Sequence, residues 1–387
     1  MHVPITLYST EIDANPFPAY RRLRDAFPCY WSESAGIWFL SRYDDVAQAA
    51  VDWKTYSSLS GNLIDEIPGR SGGTLGTTDP PRHDRLRRLA NHAFARKNLA
   101  EIIDYAETVA QHAARECAAR TEFDFVRSFS SRVTVQTILH MLGLPQQDPA
   151  EIRSKVVLSI STDKETKGRS AAMNAAFAEI SDFIRDAVAT RRRAPADDLI
   201  TRLAEAEIDG DALTEREIVL TTSMFVVAGV ESLSSFMSIF ALNLAHMPDV
   251  QDAVRQDPAR MKPVIEESLR FNTSAQRFKR VLTRDVELHG QRMRKGDYVV
   301  LAYGSANRDE RQFANADIFD IDRNPRGHLG FGTGKHFCIG SDFARMVMER
   351  SMHAFLAQVP PFRLGSDHLQ WVPSSNFRSP VALPLSR

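Results

Sequence analysis

Cysteine is scarce in this chain: Cys29, Cys117 and Cys338 are the whole complement in 387 residues. An odd number at wide spacing excludes a disulfide framework, and no companion thiol stands at the short intervals that zinc or iron–sulfur sites require. Net charge is also lacking, with 48 Lys and Arg against 49 Asp and Glu. No global field invites a nucleic-acid partner, so any charged docking face has to be local. There is no G-x-G-x-x-G fingerprint, internal repeat, low-complexity tract or Pro/Gly linker, which argues against a fused nucleotide-binding reductase and against a modular array. The opening MHVPITLYSTEIDANPFPAY shows neither a basic-then-apolar leader nor an Arg-rich presequence. With the reduced cysteines, this predicts a cytoplasmic protein that starts at its mature domain. The most apolar stretch, Ile218 to Leu244, is long enough for a bilayer, but Glu231 sits at its middle amid Gly229, Ser232, Ser234 and Ser235. That pattern predicts a buried core helix and no membrane partner.

What the chain does have is apolar residues, 43% of the total, enough for a core that encloses a cofactor completely. Helical spacing runs through Val46 to Val51, Leu86 to Phe94, Ile102 to Ala119 and Val133 to Leu142. Residues 163–193 read as a more polar helical pair, ending in Arg191, Arg192 and Arg193 as a solvated helix end before Pro195. Strand signals are short, at Gly36 to Ser41 and from Phe278 to Tyr303, the latter broken by a His-Gly turn. The expected fold is mainly α, a single helix-rich domain over residues 1–387 with a small accessory β-sheet region. From Asn307 to Gly340 the chain is rich in Asn, Asp, Pro and Gly and too long for an ordinary loop, which points to a functional coil.

That coil ends in HLGFGTGKHFCIGSDFAR, His328 to Arg345, which places Cys338 in a Gly-rich turn directly before a helical pattern. Amides of Ile339 and Gly340 can point at the sulfur, and a helix N-terminus favours negative charge, so the site suits a thiolate that needs a cation or metal. A lone cysteine is more often a small buried hydrophobe, and a cysteine-nucleophile hydrolase is a further alternative. Phe331, Gly332, Gly334, His336, Cys338 and Gly340 together, however, closely resemble the signature of the cytochrome P-450 family. The resemblance implies that fold, haem b as cofactor, and Cys338 as the metal ligand whose electron donation favours O–O cleavage. It also implies that Phe331 shields the sulfur and that the glycines let the loop pass close beneath the ring.

Further stretches resemble the same family in the expected order. Glu267 and Arg270, three apart in EESLR, would be a surface pair by spacing alone. The resemblance joins them to Arg323 in a buried structural network that braces the cysteine loop. His83 and Arg87 share a helix face and read by themselves as an exposed basic helix; by resemblance they join Arg280 and His336 as donors to haem propionates. Ala228-Gly229-Val230-Glu231-Ser232 resembles the oxygen-activation motif, with Gly229 near the haem and Glu231 and Ser232 relaying protons, although a helix kink at Gly229 explains the same residues. The common pattern has threonine where this chain has Ser232, which keeps the hydroxyl and loses the methyl that holds its rotamer.

The resemblance places Met224, Val227, Ala228, Gln276, Phe278 and Phe377 around a substrate pocket, mainly apolar with Gln276 as a polar anchor, although any of them would also serve as core. Residues 57–78, which contain LIDEIPGR, look like a variable cap. The implied partners are a small organic substrate, O2, and a soluble ferredoxin with its reductase, received by basic residues including Arg85, Arg88, Lys335 and Arg345. The expected function is a haem-thiolate monooxygenase performing hydroxylation or oxidative O-dealkylation. The alternatives are a peroxide-driven peroxygenase and a non-catalytic haem carrier or sensor.

Overall fold

The structure, a computed structural model, describes residues 6–94 and 99–387. The first five residues of the opening segment read above lie outside it. Helix starts follow the side chains that can accept the first free amides. Thr214 accepts from Glu217 N and opens the 32-residue helix Glu215–His246. Asp148, followed by Pro149, opens Pro149–Ile160, and Asp198 opens Leu199–Glu205. The helix Ser131–Leu142 stops at Gly143, whose φ of 67° is left-handed and natural for glycine.

Glu215–His246 is about 48 Å long at 1.5 Å per residue. It passes the length and composition test for a membrane span, yet 78% of its most apolar window is buried against the rest of the protein, as a core helix is. Two of its serines are satisfied from a neighbouring turn: Ser130 Oγ lies 3.0 Å from Ser234 Oγ and 2.9 Å from Ser238 Oγ. The helices Ser131–Leu142, Pro149–Ile160 and Ala171–Arg193 pack along it.

Residues 163–193 do not form the expected helical pair. Asp163 Oδ1 accepts the amides of Glu165 and Thr166, both at 3.0 Å, and Asp163 pairs with Gly168 across a turn, so a single helix begins only at Ala171. Local side-chain bonds to the backbone win over helical periodicity there. Nor is Arg191 a solvated end, because it bonds the Asp198 carboxylate and the Gly143 carbonyl; only Arg192 and Arg193 are exposed.

The main sheet has the strand order Cys29–Ser32, Ile37–Leu40, Tyr298–Leu301, Phe278–Leu282, Tyr56–Ser57. Tyr298–Leu301 runs parallel to Ile37–Leu40 and antiparallel to Phe278–Leu282, with Val299 opposite Arg280. Alternation along Phe278–Leu282 puts Phe278 and Arg280 on one face, which turns inward. A second sheet joins Arg363–Leu364, Pro384–Ser386 and Glu122–Asp124.

The long coil before the cysteine is ordered by an ion network. Glu267 and Arg270, both with fully buried side chains on helix Met261–Phe271, pair through two bonds of 2.8 and 2.7 Å. Arg270 then donates to the carbonyls of Asn307, Ala316 and Ile318. Glu267 Oε1 also accepts Asp320 N at 2.9 Å and Arg323 Nε at 3.1 Å. Glu267, Arg270 and Arg323 therefore bind backbone that no helix or strand satisfies, which is how so long a coil keeps one conformation.

Candidate active site

Cys338 closes the coil onto the helix Ser341–Gln358: its amide donates to Phe331 O at 3.0 Å, and Gly340 is the N-cap. Between Phe331 and Cys338 the chain turns through Gly332 and Gly334, at φ of 70° and 69°. A Cβ at Gly334 would approach Ala50 O at 3.0 Å and Val51 Cα at 3.1 Å, so the turn lies flat against the end of helix Tyr43–Val51. Burial raises the pKa of the Cys338 thiol, while the Gly340 amide and the charges of Arg87 and Arg345 pull it back. The sulfur is prepared for a cation that replaces its proton.

Phe331 beside it is held from behind, with the Arg345 guanidinium 4.6 Å from its ring centre. Arg345 bonds both oxygens of Glu266, at 2.6 and 3.0 Å, and His328 Nε2 lies 2.9 Å from the same carboxylate. Burial alone would raise the Glu266 pKa, but His328 and Arg345 outweigh it and hold the carboxyl at about 2.

The sulfur faces a largely apolar cavity of about 340 Å³. Phe331, Gly332 and Gly340 share its wall, and the central helix forms another part through Met224, Val227, Ala228, Gly229 and Ser232. Gly229 fits closely there, since a Cβ would come within 2.7 Å of Ile138 Cδ1. Phe278 and Phe377, edge to face with ring centres 5.7 Å apart, line the cavity as well.

His83, Arg87, Arg280 and His336 gather along the same cavity. The two imidazoles meet edge to face at 4.7 Å, and His336 Nε2 lies 3.1 Å from Ser58 Oγ. Arg87 donates to Phe337 O and Arg280 to Lys279 O, and neither has a carboxylate partner among the described residues. His83 Nε2 is buried with no partner among the described residues. The pKa of His336 is pushed down to about 3 by burial, with the charge of Arg280 and the neighbouring His83 adding to it. No Asp or Glu among the described residues lines the cavity. Two guanidiniums without a carboxylate partner among the described residues, beside two imidazoles, suit a bound group that carries carboxylates, as the propionates of a haem do.

Two expected site residues are placed differently. Gln276 does not line the cavity: it is fully buried, its amide donates to Thr273 O, and a Cβ at Gly304 would collide with its Oε1. It precedes the strand, where its amide donates to Asn376 O and the bridge between Ala275 and Phe377 interrupts the alternation, so Ala275 lines the cavity in its place. Glu231 and Ser232 are also split. Ser232 lines the cavity, whereas the buried Glu231 carboxylate turns toward Arg153, with Oε2 3.1 Å from Nε in poor alignment, and accepts from Ser235 Oγ at 3.0 Å. Consecutive helical residues diverge by about 100°, so one faces the cavity and the other the next helix.

Of the basic residues expected to receive a redox partner, Arg85 is committed to Asp211 and Glu217, Lys335 to Asp84, and Arg345 to Glu266. Arg88 is exposed with no ion pair among the described residues, so the local positive face is smaller than the sequence suggests. Reasoning from sequence missed Arg153 and the cavity-lining pair Asn62 and Arg70. The four-residue spacing of Glu66 and Arg70 was the available signal.

A braced cysteine at a helix N-terminus, facing a large apolar cavity with donors for two carboxylates, defines a haem-thiolate site. The Cytochrome P450 family model matches residues 127–379, and the chain belongs to that family. Its enzymes are haem b monooxygenases. It is 32% identical to Cytochrome P450 109 of Bacillus spizizenii, over 91% of this chain and 86% of that one. It is 30% identical to the mycinamicin IV hydroxylase/epoxidase of Micromonospora griseorubida, over 92% and 90%. Among solved structures, the bacillaene polyketide synthase cytochrome P450 PksS of Bacillus subtilis superposes with a TM-score of 0.90 at 27% identity, covering 99% of both chains.

Proposed function

We propose that this enzyme inserts one atom of O2 into a mainly apolar small organic molecule, by hydroxylation or oxidative O-dealkylation, in the cytoplasm and with electrons from a separate ferredoxin and its reductase. The observation that carries the substrate class is the apolar cluster of Leu63, Ile67, Ile160, Phe177 and Phe377, which packs against Val227 of the central helix and opens on the cavity. An organic ligand gains by leaving water for such a wall. The external donor follows from a chain without a nucleotide-binding fingerprint.

Haem b, when bound, supplies the reductive activation of O2 and the oxygen-insertion chemistry. Cys338 would hold its iron through the sulfur, and His83, Arg87, Arg280 and His336 would hold its carboxylates. Phe331 keeps water from the sulfur. Ser232 holds a hydroxyl at the cavity wall, where it can donate or orient a water. Glu231 reaches the cavity only after its buried contact with Arg153 opens, which makes it a reserve of charge behind Ser232.

The test is titration of the haem-loaded protein with apolar ligands, followed by turnover of those that shift the Soret band, using a ferredoxin, its reductase and NAD(P)H. Oxygenated product supports the proposal. Product with peroxide but none with the redox chain makes the protein a peroxygenase, and spectral shifts without product in either assay make it a carrier or sensor. In the same assay Ser232→Ala is expected to lower product per NAD(P)H by at least about tenfold, with the lost electrons found as hydrogen peroxide. Equal coupling in both proteins would remove Ser232 from proton delivery.

A further inference from the structure

The segment 62–76 contributes two polar side chains, Asn62 and Arg70, to an otherwise apolar part of the cavity wall. They stand beside Leu63 and Ile67 of the apolar cluster. Arg70 is 7% exposed. Its Nε and Nη2 clasp the two oxygens of Glu66 at 2.7 and 2.9 Å, and Nη2 also donates to Asn62 Oδ1 at 2.6 Å. Nη1 makes no hydrogen bond among the described residues and is not sealed in. Asn62 is fixed as well: its carbonyl accepts Lys279 N at 2.9 Å, and its Nδ2 stands where a Cβ at Gly76 would approach within 2.9 Å. The cluster therefore keeps two donors, Arg70 Nη1 and Asn62 Nδ2, beyond those needed to lock the segment.

We infer that Arg70 and Asn62 form a polar subsite that binds a neutral acceptor oxygen, a carbonyl, on the part of the substrate remote from the oxidised carbon. The inference rests on the monooxygenase reading of this cavity and narrows its substrate class. Neutrality follows from Glu66, whose carboxylate occupies the guanidinium and would repel an anion beside it. A carbonyl makes no such conflict, and a preorganised donor in an apolar wall discriminates between a carbonyl and a methylene.

The test uses the haem-loaded protein and 1-alkylimidazoles, whose ring nitrogen ligates the iron and reports binding through a red-shifted Soret band. Three series of increasing length end in a methyl group, a methyl ketone or a carboxylate. At one length the ketone is expected to bind about tenfold tighter than the matched alkyl chain. In Glu66→Gln/Arg70→Gln this advantage falls to less than about twofold while alkyl affinity holds; Arg70→Lys, which keeps the ion pair and moves the donor, behaves likewise if the double variant fails to fold. Ketone and alkyl affinities that track at every length, or an advantage that survives both variants, would overturn the subsite. Carboxylates binding more tightly than ketones would overturn its neutral character. A protein with the ketone advantage but no turnover defeats the monooxygenase reading and leaves this subsite standing.

Discussion

Cys338→Ala is expected to abolish the red-shifted Soret band of the reduced, carbon-monoxide-bound protein, and monooxygenase turnover with it. The variant removes one sulfur from a loop held by other bonds: the 338 amide still donates to Phe331 O, and Gly332 and Gly334 keep their left-handed turns. Urea unfolding of the haem-free protein should therefore change by no more than about 1 kcal/mol, so the spectrum reports ligation and not collapse. Neither Cys29 nor Cys117 can substitute, because both are buried elsewhere in the core and only Cys338 lines the cavity among the described residues. A variant that keeps the wild-type band would show that another residue ligates the iron.

The second large effect belongs to a residue that touches no substrate. Glu267→Ala is expected to cost about 3–5 kcal/mol, because it strands the fully buried Arg270 guanidinium and releases Asp320 N and Arg323 together. That corresponds to a melting temperature lower by roughly 5 °C. Haem retention should fall with it, since the coil this network holds is the one that ends in Cys338. Charge is the heart of the matter: Glu267→Gln/Arg270→Met, which removes both ions and keeps volume, should recover part of the loss. Calorimetry that finds Glu267→Ala melting within a degree or two of wild type would show that the coil holds itself.

Much of this site is legible in the chain because its residues act through short spacings. Cys338 is followed at once by a helix start and preceded by glycines at the positions where the loop turns left-handed. Glu267 and Arg270 share a helix face at a separation of three, and Phe278 and Arg280 share a strand face at a separation of two. Such spacings decide which side chains point together whatever packs against them.

Direction into a particular neighbour is another matter, and there the tertiary structure decided. Strand alternation carried back to Gln276 points it at the pocket, but its amide is held by Asn376 outside the strand and its side chain turns behind Gly304. Glu231 adjoins Ser232 in sequence, yet Arg153, 78 residues away, claims its carboxylate. Arg70 pairs with a near neighbour, as its spacing suggests, while its place on the cavity depends on Lys279 and Gly76 fixing Asn62. By itself, then, the sequence carried the cysteine's place before a helix start and the shared faces of Glu267 with Arg270 and of His83 with Arg87, because each is built from spacings within one element or loop. Only the assembled fold decided which polar groups face the substrate, because a buried side chain goes to the partner that best offsets its lost hydration, and that partner can lie anywhere in the chain.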